Sequence, residues 1–419
     1  MTNKVWKTLG VGALAIASAL TLAGCGASNP DSTTTNTQST SDALPTTPIT
    51  LLFGSSGDAE TAAVQAAAAA WSATSGVQVT VTPAKDLNQE LAQGFASGSP
   101  ADVFYLAPGN LAGYADAGDL WAYGDQLTNK SDFYPNLLND YTYKGKLYAA
   151  PKDFSTLALV INTDMWSAAG LTTADYPTTW DQLDSVAKKL TTSSVVGLCV
   201  GAQYERLGAF MVANGANLMN SDQTQATANV QSNIDALAFV QSMLKDGSMK
   251  FAADVQNAGW GGECFGKGNA AMTIEGNWIT GAMNSDYQNI KWAAVPLPTA
   301  PSGKQGTMEF SNGWGIAADS KNQQAALSLV EYMTTTTQQM AFSQAFGIMP
   351  SVQSAAAQYA EAFPEMKAFS DGAAVSQGVP TIKNADQVIT DLDNALPTLA
   401  TTDPKTILDS TQSELQALL

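Results

Sequence analysis

Histidine is absent from the 419 residues of this sequence. Its absence excludes nucleophile activation by a Ser–His or Cys–His pair, and it excludes metal sites that depend on imidazole. It does not exclude glycoside hydrolysis, because that reaction needs only two carboxylates. The cysteines and carboxylates are also not spaced as metal ligands, so we expect neither a metal ion nor another cofactor.

Charged residues are scarce, at 13% of the chain against about 25% in an average soluble domain. Acidic residues outnumber basic ones, and the formal net charge is −18. Such a surface repels nucleic acid, phosphate-rich ligands and anionic surfaces. We therefore expect no nucleic-acid partner, and the shortage of basic residues argues against a receptor for oxyanions.

Long apolar runs are limited to the N-terminus, where residues 9–22 follow Lys4 and Lys7. This run is too short to span ~30 Å of hydrocarbon comfortably, so it indicates a signal peptide over residues 1–24. The adjoining Leu22-Ala23-Gly24-Cys25 resembles a bacterial lipobox, which implies cleavage before Cys25 and acylation of its thiol. The alternative is a plain signal peptide in which Cys25 has no special role.

Residues 25–47 are rich in Ser and Thr and contain no aromatic residue. Such a segment cannot bury enough apolar surface to offset its ordering entropy, so we expect a flexible tether. Lipid at Cys25 would then hold the following body at the extracellular face of a bacterial cell membrane.

Only two further cysteines are present, Cys199 and Cys264. An even pair in an oxidising compartment favours a disulfide. The bond would close about 65 residues and contribute ~4 kcal/mol by the loop-entropy estimate. Two unpaired, buried thiols are the alternative.

The body after the tether alternates strand and helix patterns. An apolar run at 49–53 precedes a helical pattern that includes Trp71, and a strand alternation follows at 77–81. The same alternation continues to a helix that begins at Asp403-Pro404. It predicts an α/β protein with largely parallel pairing in two sheets. Roughly 370 residues exceed one ordinary core, so we expect two lobes.

Five segments in a fixed order carry a family resemblance: 98–120, 143–162, 265–298, 313–316 and 346–351. Together they resemble the extracellular solute-binding proteins of carbohydrate ABC importers, which include the maltose-binding proteins. The resemblance covers about residues 48–419. It implies a monomer with the two-lobed periplasmic-binding-protein-like fold and a hinge between discontinuous lobes. Lobe one would be 48–154 plus 314–359, and lobe two 155–313 plus 360–419.

A sugar presents hydroxyls at its edge and C–H bonds on its faces, so its receptor needs aromatic platforms and planar polar groups. Trp278 follows Asn277 at a predicted strand end, where the family places a stacking aromatic. Trp314 lies between two glycines, which allow close approach of a ligand, and Trp260 lies in a loop. We expect these four residues at the ligand, with burial in the core as the alternative for each tryptophan. Trp71, Trp166 and Trp180 lie on predicted helices and are expected to pack.

Six further residues are expected in the cleft: Asp58, Lys152, Asp153, Ser155, Gln203 and Tyr204. Lys152, Asp153 and Ser155 lie at the first predicted crossing between lobes, and Asp153 is the best candidate for the sugar edge. A hinge-stabilising ion pair is the alternative for Asp153. The other three follow predicted strands, in loops where the family places polar or aromatic ligand groups.

Three positions depart from the maltose-binding proteins. Ser155 stands where those proteins carry a glutamate, and Leu106 and Ile389 replace aromatic residues. We therefore expect a different saccharide, most simply an oligosaccharide other than maltose.

The sequence thus predicts a receptor that closes over a sugar and presents it to the membrane subunits of an ABC transporter. One alternative is a secreted carbohydrate-active enzyme that uses Asp153 and Glu275 as its carboxylates. Another is a receptor for a peptide, a metal ion or an oxyanion.

Overall fold

The computed structural model describes residues 47–419. The predicted signal peptide, the predicted lipidation site Cys25 and nearly all of the predicted tether lie outside the described residues. Within the described residues, none of the helices combines the length and hydropathy needed to cross a membrane.

The strands of the described part run in this order: β1 Ile49–Phe53, β2 Val79–Pro83, β3 Val103–Leu106, β4 Thr142–Tyr143, β5 Lys146–Leu147, β6 Ala149–Asn162, β7 Val196–Val200, β8 Met249–Phe251, β9 Ala270–Gly276, β10 Trp292–Val295, β11 Thr307–Ile316, β12 Met349–Pro350 and β13 Ser376–Gln377.

The helices are α1 Asp58–Ser75, α2 Leu87–Ala96, α3 Pro108–Ala117, α4 Pro135–Asp140, α5 Thr163–Ala168, α6 Trp180–Leu190, α7 Tyr204–Ala213, α8 Gln231–Asp246, α9 Gly261–Gly266, α10 Ile279–Ser285, α11 Gln323–Met333, α12 Thr336–Phe346, α13 Ala356–Ala362, α14 Lys367–Asp371, α15 Ala385–Ala395 and α16 Pro404–Ala417.

One mixed sheet connects most of the strands, in the order β2-β1-β3-β11-β6-β9-β7-β8. The pairs at its two ends are parallel, namely β1 with β2 and β3, and β7 with β8 and β9. In the middle, β6 pairs antiparallel with β11 and with β9. The predicted parallel halves are present, and the long strand β6 pairs in both and joins them.

The long strand β6 is buried along all fourteen of its residues. It pairs with β11 through Thr156 and with β9 from Leu157 onward. A strand that is covered on both faces must be apolar or must have partners for its polar groups. The residues 157–161 of β6 are accordingly apolar, and the charged Lys152 and Asp153 are paired with each other.

Two large hydrophobic cores lie along this sheet. The first contains Phe53 and Trp71, and the second contains Trp166 and Trp180, so the three tryptophans expected to pack are buried. The first core also takes in Phe265, which belongs to predicted lobe two. The cores therefore do not test the predicted lobe boundaries, which stay predictions.

Cys199 of β7 and Cys264 of α9 form a disulfide, as the sequence predicts. Their Cα atoms are 6.6 Å apart, and both residues are fully buried. The bond ties α9 to the strand beside β9.

Candidate functional site

The antiparallel pairing of β6 with β11 brings two of the predicted site residues onto one face of the sheet. Asp153 lies opposite Asn312, and Ser155 lies opposite Phe310. Directly opposed residues in such a pair project to the same side. Residues two apart along a strand also share a face, so these four side chains form one surface.

A buried ion-pair cluster borders this surface. The Lys152 ammonium lies 3.1 Å from Glu60 Oε1 and also pairs with Asp153 Oδ2. It lies 4.4 Å from the ring centroid of Tyr105, whose hydroxyl donates to Glu60 Oε1 at 2.8 Å. Lys152 is only 3% exposed, so its charge is satisfied within the protein and the predicted direct ligand contact does not fit this conformation.

The charges in this cluster do not balance, because one ammonium lies between two carboxylates. Burial opposes the charge on Lys152, but Asp153 and Glu60 outweigh it and raise the pKa of Lys152. Burial likewise opposes the charge on Glu60, but Lys152 and the Ser56 amide hold its pKa below the usual value. Burial raises the pKa of Asp153 despite the same lysine. Asp153 Oδ1 also accepts a hydrogen bond from the Asn312 backbone N–H at 3.4 Å, so burial outweighs both of its partners.

A second charged cluster is built around Glu275 at the end of β9. Arg206 places its Nε at 3.1 Å and its Nη2 at 3.0 Å from Glu275 Oε2. The Trp278 indole N–H donates to the same oxygen at 3.1 Å. Burial raises the pKa of Glu275, and the guanidinium opposes that shift.

The Trp278 ring is held on several sides and is still 36% exposed. The Arg206 guanidinium carbon lies 5.1 Å from its ring centroid, and Phe310 packs edge-on at 5.0 Å. A large aromatic ring that is fixed in position but partly exposed can offer an apolar face to a ligand at little entropic cost. This placement agrees with the expectation for Trp278, and stacking on a ligand stays a prediction.

Asn277 and Ser155 are already hydrogen-bonded to protein groups. The Asn277 amide N–H donates to Ser155 Oγ at 3.2 Å, and its side-chain Nδ2 donates to the Gly347 carbonyl at 3.0 Å. Both residues are at least nine-tenths buried. A ligand could contact these two side chains only if these hydrogen bonds rearranged. The ligand contacts of Asn277 and Ser155 stay predictions.

Trp314 is a packing residue in this structure, contrary to the expectation of ligand contact. It is fully buried in the first core, with its ring edge-on to Tyr105 at a centroid distance of 4.9 Å. The Tyr123 hydroxyl donates to the Trp314 carbonyl at 2.5 Å. No ligand can reach its indole without opening this core.

The two glycines beside Trp314 were the reason to expect a ligand there, and the structure shows what occupies the space beside them. A Cβ on Gly313 would lie 2.7 Å from the Tyr141 ring, and a Cβ on Gly315 would lie 2.5 Å from the Phe104 ring. The close approach that these glycines permit is thus taken by aromatic rings of the protein. The packing in this structure agrees with the alternative of a core tryptophan.

Tyr204 is also a packing residue. It is fully buried in the second core, and its hydroxyl contacts Asn217. Its backbone N–H donates to Asp393 at 2.7 Å. Because Tyr204 begins α7, the helix places Arg206, two residues later, at the site instead.

Three other predicted residues lie in loops or at helix starts. Asp58 is exposed at the start of α1, Gln203 is exposed just before α7, and Trp260 is half-buried just before α9. The Trp260 ring covers Gly262, where a Cβ would lie 2.1 Å from ring carbons. No side-chain hydrogen bond joins these three to either ion-pair cluster, and their roles stay predictions.

Four residues of the site were missed by sequence reasoning: Glu60, Arg206, Phe310 and Asn312. One of them carried a usable signal, since Arg206 is the only arginine in the sequence. A guanidinium group can contact a carboxylate through two nitrogens, and a lone arginine in a chain with few basic residues is therefore a candidate for a specific contact at the site. The other three are visible only once the strands are paired. Among residues 47–419, no group of three or more acidic or cysteine side chains is arranged to hold a metal ion.

The sequence of this chain is similar to the sequences of known binding proteins. The family model for bacterial extracellular solute-binding proteins matches residues 54–340. A galactooligosaccharide-binding protein of Bacillus subtilis is 25% identical over 278 residues, which are 63% of this chain and 64% of its own length.

Solved structures share the fold. An ABC substrate-binding protein from Listeria monocytogenes, in complex with cycloalternan, has a TM-score of 0.73 at 22% identity and covers 89% of this chain and 99% of its own. A cyclic α-maltosyl-1,6-maltose binding protein from Arthrobacter globiformis has a TM-score of 0.79 at 18% identity, with coverages of 88% and 98%. The predicted α/β, two-lobed periplasmic-binding-protein-like fold is confirmed.

Proposed function

The chain belongs to the bacterial extracellular solute-binding protein family, and from this premise we propose that it is a lipid-anchored sugar receptor. It captures a saccharide outside the cell and delivers it to the membrane subunits of an ABC importer. The anchor is the lipid on Cys25, after removal of residues 1–24. Function as a monomer is part of the proposal.

The observation that carries the proposal is the fixed, partly exposed ring of Trp278 beside a surface of planar polar groups. The ring supplies an apolar face for the C–H side of a sugar, and Asp153 and Asn312 supply an acceptor and an amide for its hydroxyls. Arg206 and Phe310 hold the ring. This combination suits a neutral, hydroxylated ligand.

An oligosaccharide is the proposed ligand class. Support comes from the Bacillus subtilis relative, a galactooligosaccharide-binding protein, and from the Listeria monocytogenes structure, which holds cycloalternan. Ser155, Leu106 and Ile389 argue against maltose itself, because they remove a carboxylate and two aromatic platforms found in the maltose-binding proteins.

Binding without catalysis is the proposed mode of action. The two carboxylates of the enzyme alternative are each paired with a cation, Asp153 with Lys152 and Glu275 with Arg206. Glu275 is fully buried, so it lacks the access to substrate that an acid or nucleophile requires. The matched relatives are also binding proteins.

The proposal is tested by titrating the protein with a panel of mono- and oligosaccharides while following its melting temperature. A ligand that binds the folded state raises the apparent stability by mass action, so at least one oligosaccharide is expected to raise it in proportion to its affinity. Binding confined to peptides or metal ions would contradict the proposal.

A Trp278→Ala variant then tests the ring itself. The change is expected to weaken binding of the best saccharide by ~1–3 kcal/mol, measured by calorimetry, because the apolar face is lost. Trp121→Ala, which removes a half-buried tryptophan elsewhere, serves as the matched control and should retain binding. Unchanged affinity of a folded Trp278→Ala variant would refute the role of the ring.

A further inference from the structure

A cavity of about 560 Å³ lies behind the β6–β11 pair, on the face of the sheet opposite to Asp153. Glu309, which lines the cavity, is the partner of Thr156 in the register. Both are one residue out of step with Ser155 and Phe310, so they project to the other side. The remaining walls come from α4 and from residues 215–232 and 376–380.

This cavity is lined by both polar and apolar residues, and the only formal charges among the lining residues are negative. It contains two carboxyl groups, Asp140 and Glu309, among amide and hydroxyl side chains, and none of the described residues that line it is Lys or Arg. Lys304 packs against Gly215 at the wall but does not itself line the cavity. The two carboxyl groups of the lining therefore have no positively charged partner among the residues that line the cavity.

Asp140 is the most informative of these residues. It is only 7% exposed, its carboxyl accepts no hydrogen bond from residues 47–419, and its oxygens stay open to the cavity. The carboxyl lies against Gly378, also in the lining, where a Cβ would approach Asp140 Oδ1 to 2.6 Å. Burying a carboxylate without a donor or a cation is costly, and such groups in native proteins usually have a partner.

Glu309 is held in place at the cavity wall. Its Oε2 accepts a hydrogen bond from Ser376 Oγ at 2.5 Å and another from Asn136 Nδ2. Asn136 also donates to the Ala373 carbonyl at 3.1 Å, which fixes its orientation. One wall of the cavity is thus organised around a positioned carboxyl group.

The pKa values of the two carboxyls both lie above their ordinary values. Burial raises the pKa of Glu309 to about 7. Burial, together with the nearby Glu309, raises the pKa of Asp140 well above its usual range. Tyr141, which adjoins both carboxyls, stays neutral because burial raises its pKa as well.

We propose that this cavity is a second ligand site, which takes a small organic cation and holds its ammonium group between Asp140 and Glu309. The volume fits a small molecule better than a bare metal ion, since small-molecule pockets span ~300–1,000 Å³. The described residues also offer no cluster of metal ligands. The proposal does not depend on sugar binding, because the site lies on the other face of the sheet.

The experiment uses 1,4-diaminobutane as the cation and 1,4-butanediol as its neutral counterpart, each titrated into the full chain by calorimetry at pH 8 and low salt. The diamine is expected to bind and the diol is not. Absence of diamine binding, or equal binding of the diol, would overturn the proposal.

Substitutions locate the site. Asp140→Asn and Glu309→Gln are each expected to weaken diamine binding at least tenfold, while Asp254→Asn, which removes an exposed carboxylate elsewhere, should leave it unchanged. Asp140→Asn should fold, because it removes an unpartnered buried charge, and its melting temperature checks this. Equal weakening by all three variants would show a nonspecific charge effect and overturn the site.

The pH dependence provides an independent readout. Diamine affinity should fall as the pH is lowered from 8 to 5.5, because Glu309 takes up a proton near its pKa of about 7. A flat profile in the unsubstituted protein would contradict the role of the carboxyl pair.

Discussion

At the scale of single residues, the candidate site depends on the only guanidinium in the chain. Arg206 neutralises a fully buried carboxylate, Glu275, and also lies over the ring of Trp278. One side chain therefore serves both the stability of the fold and the position of the aromatic platform. Lysine could not replace it, since an ammonium lacks the planar, two-nitrogen contact.

An Arg206→Gln variant is expected to lose ~3 kcal/mol of unfolding free energy, because it leaves Glu275 buried without a cation. Urea unfolding measures this loss. The Arg206→Gln/Glu275→Gln double variant should recover part of it, since the unpaired charge is then gone. If the double variant is as unstable as the sum of the single changes, the two side chains are not coupled.

Glu309 should make the stability of the protein depend on pH. Its folded pKa of about 7 lies above its ordinary value of 4.5, so between those values the folded state keeps a proton that the unfolded chain releases. The contribution of Glu309 to the unfolding free energy should therefore be greatest below pH 4.5. It should fall by ~3 kcal/mol as the pH rises to 7.

Urea unfolding at pH 4.5, 6 and 8 tests this dependence against Glu309→Gln, which cannot titrate. Asp140 contributes in the same direction, because burial raises its pKa too. The variant should show a shallower decline between pH 4.5 and 7 than the unsubstituted protein. Identical slopes would exclude Glu309 as a source of the dependence.

At the scale of elements, local patterns predicted helices and strands well. The sequence predicts a helix that begins at Asp403-Pro404, and in the structure the Asp403 side chain accepts a hydrogen bond from the Lys405 backbone N–H. Such a signal succeeds because a cap is satisfied by residues within the same turn. Cys199 and Cys264 could be paired because only two cysteines remained.

Sequence reasoning failed where the outcome depends on partners far along the chain. Gly313 and Gly315 correctly indicated that another group packs closely against the β11 backbone. The sequence could not say whether that group is a ligand or an aromatic ring of the protein. Phe310 and Asn312 enter the site only through their register with β6, which is set by tertiary pairing. Tyr204 was misplaced because the exact start of α7 decides which residue faces the cleft.

The packing around Gly313 leads to a prediction for β11. Gly313→Ala would place a methyl group 2.7 Å from the Tyr141 ring and 2.9 Å from Ala149 Cβ. Overpacking of this kind costs ~1–3 kcal/mol of unfolding free energy. Thermal unfolding is the measurement.

Gly113→Ala in α3 is the matched control, because nothing lies within 4 Å of the added Cβ. That change should be neutral or stabilising by up to ~1 kcal/mol, since alanine favours a helix more than glycine does. A Gly313→Ala variant as stable as the control would mean that the rings around β11 adjust freely.

At the scale of the whole molecule, the proposed function requires the two ends of the sheet to move relative to each other. The strands that join them, β6 and β11, carry Asp153 and Phe310 near their middle. The cluster around Lys152 includes Tyr105 of β3, on one side of these joining strands, and the other cluster includes Glu275 of β9, on the other side. A ligand that contacts both clusters stabilises whichever arrangement brings them together.

Small-angle scattering of the protein should therefore report a smaller radius of gyration when the best oligosaccharide is present at saturation. The compaction arises because only the closed arrangement lets one ligand meet the Asp153 side and the Trp278 side at once, and its population rises with the extra affinity for that state. Trp278→Ala at the same sugar concentration is the control, and it should compact less in proportion to its lost affinity. Tight binding with no change in the radius would show that the sugar is held by one end of the sheet alone, and capture by closure would then be excluded.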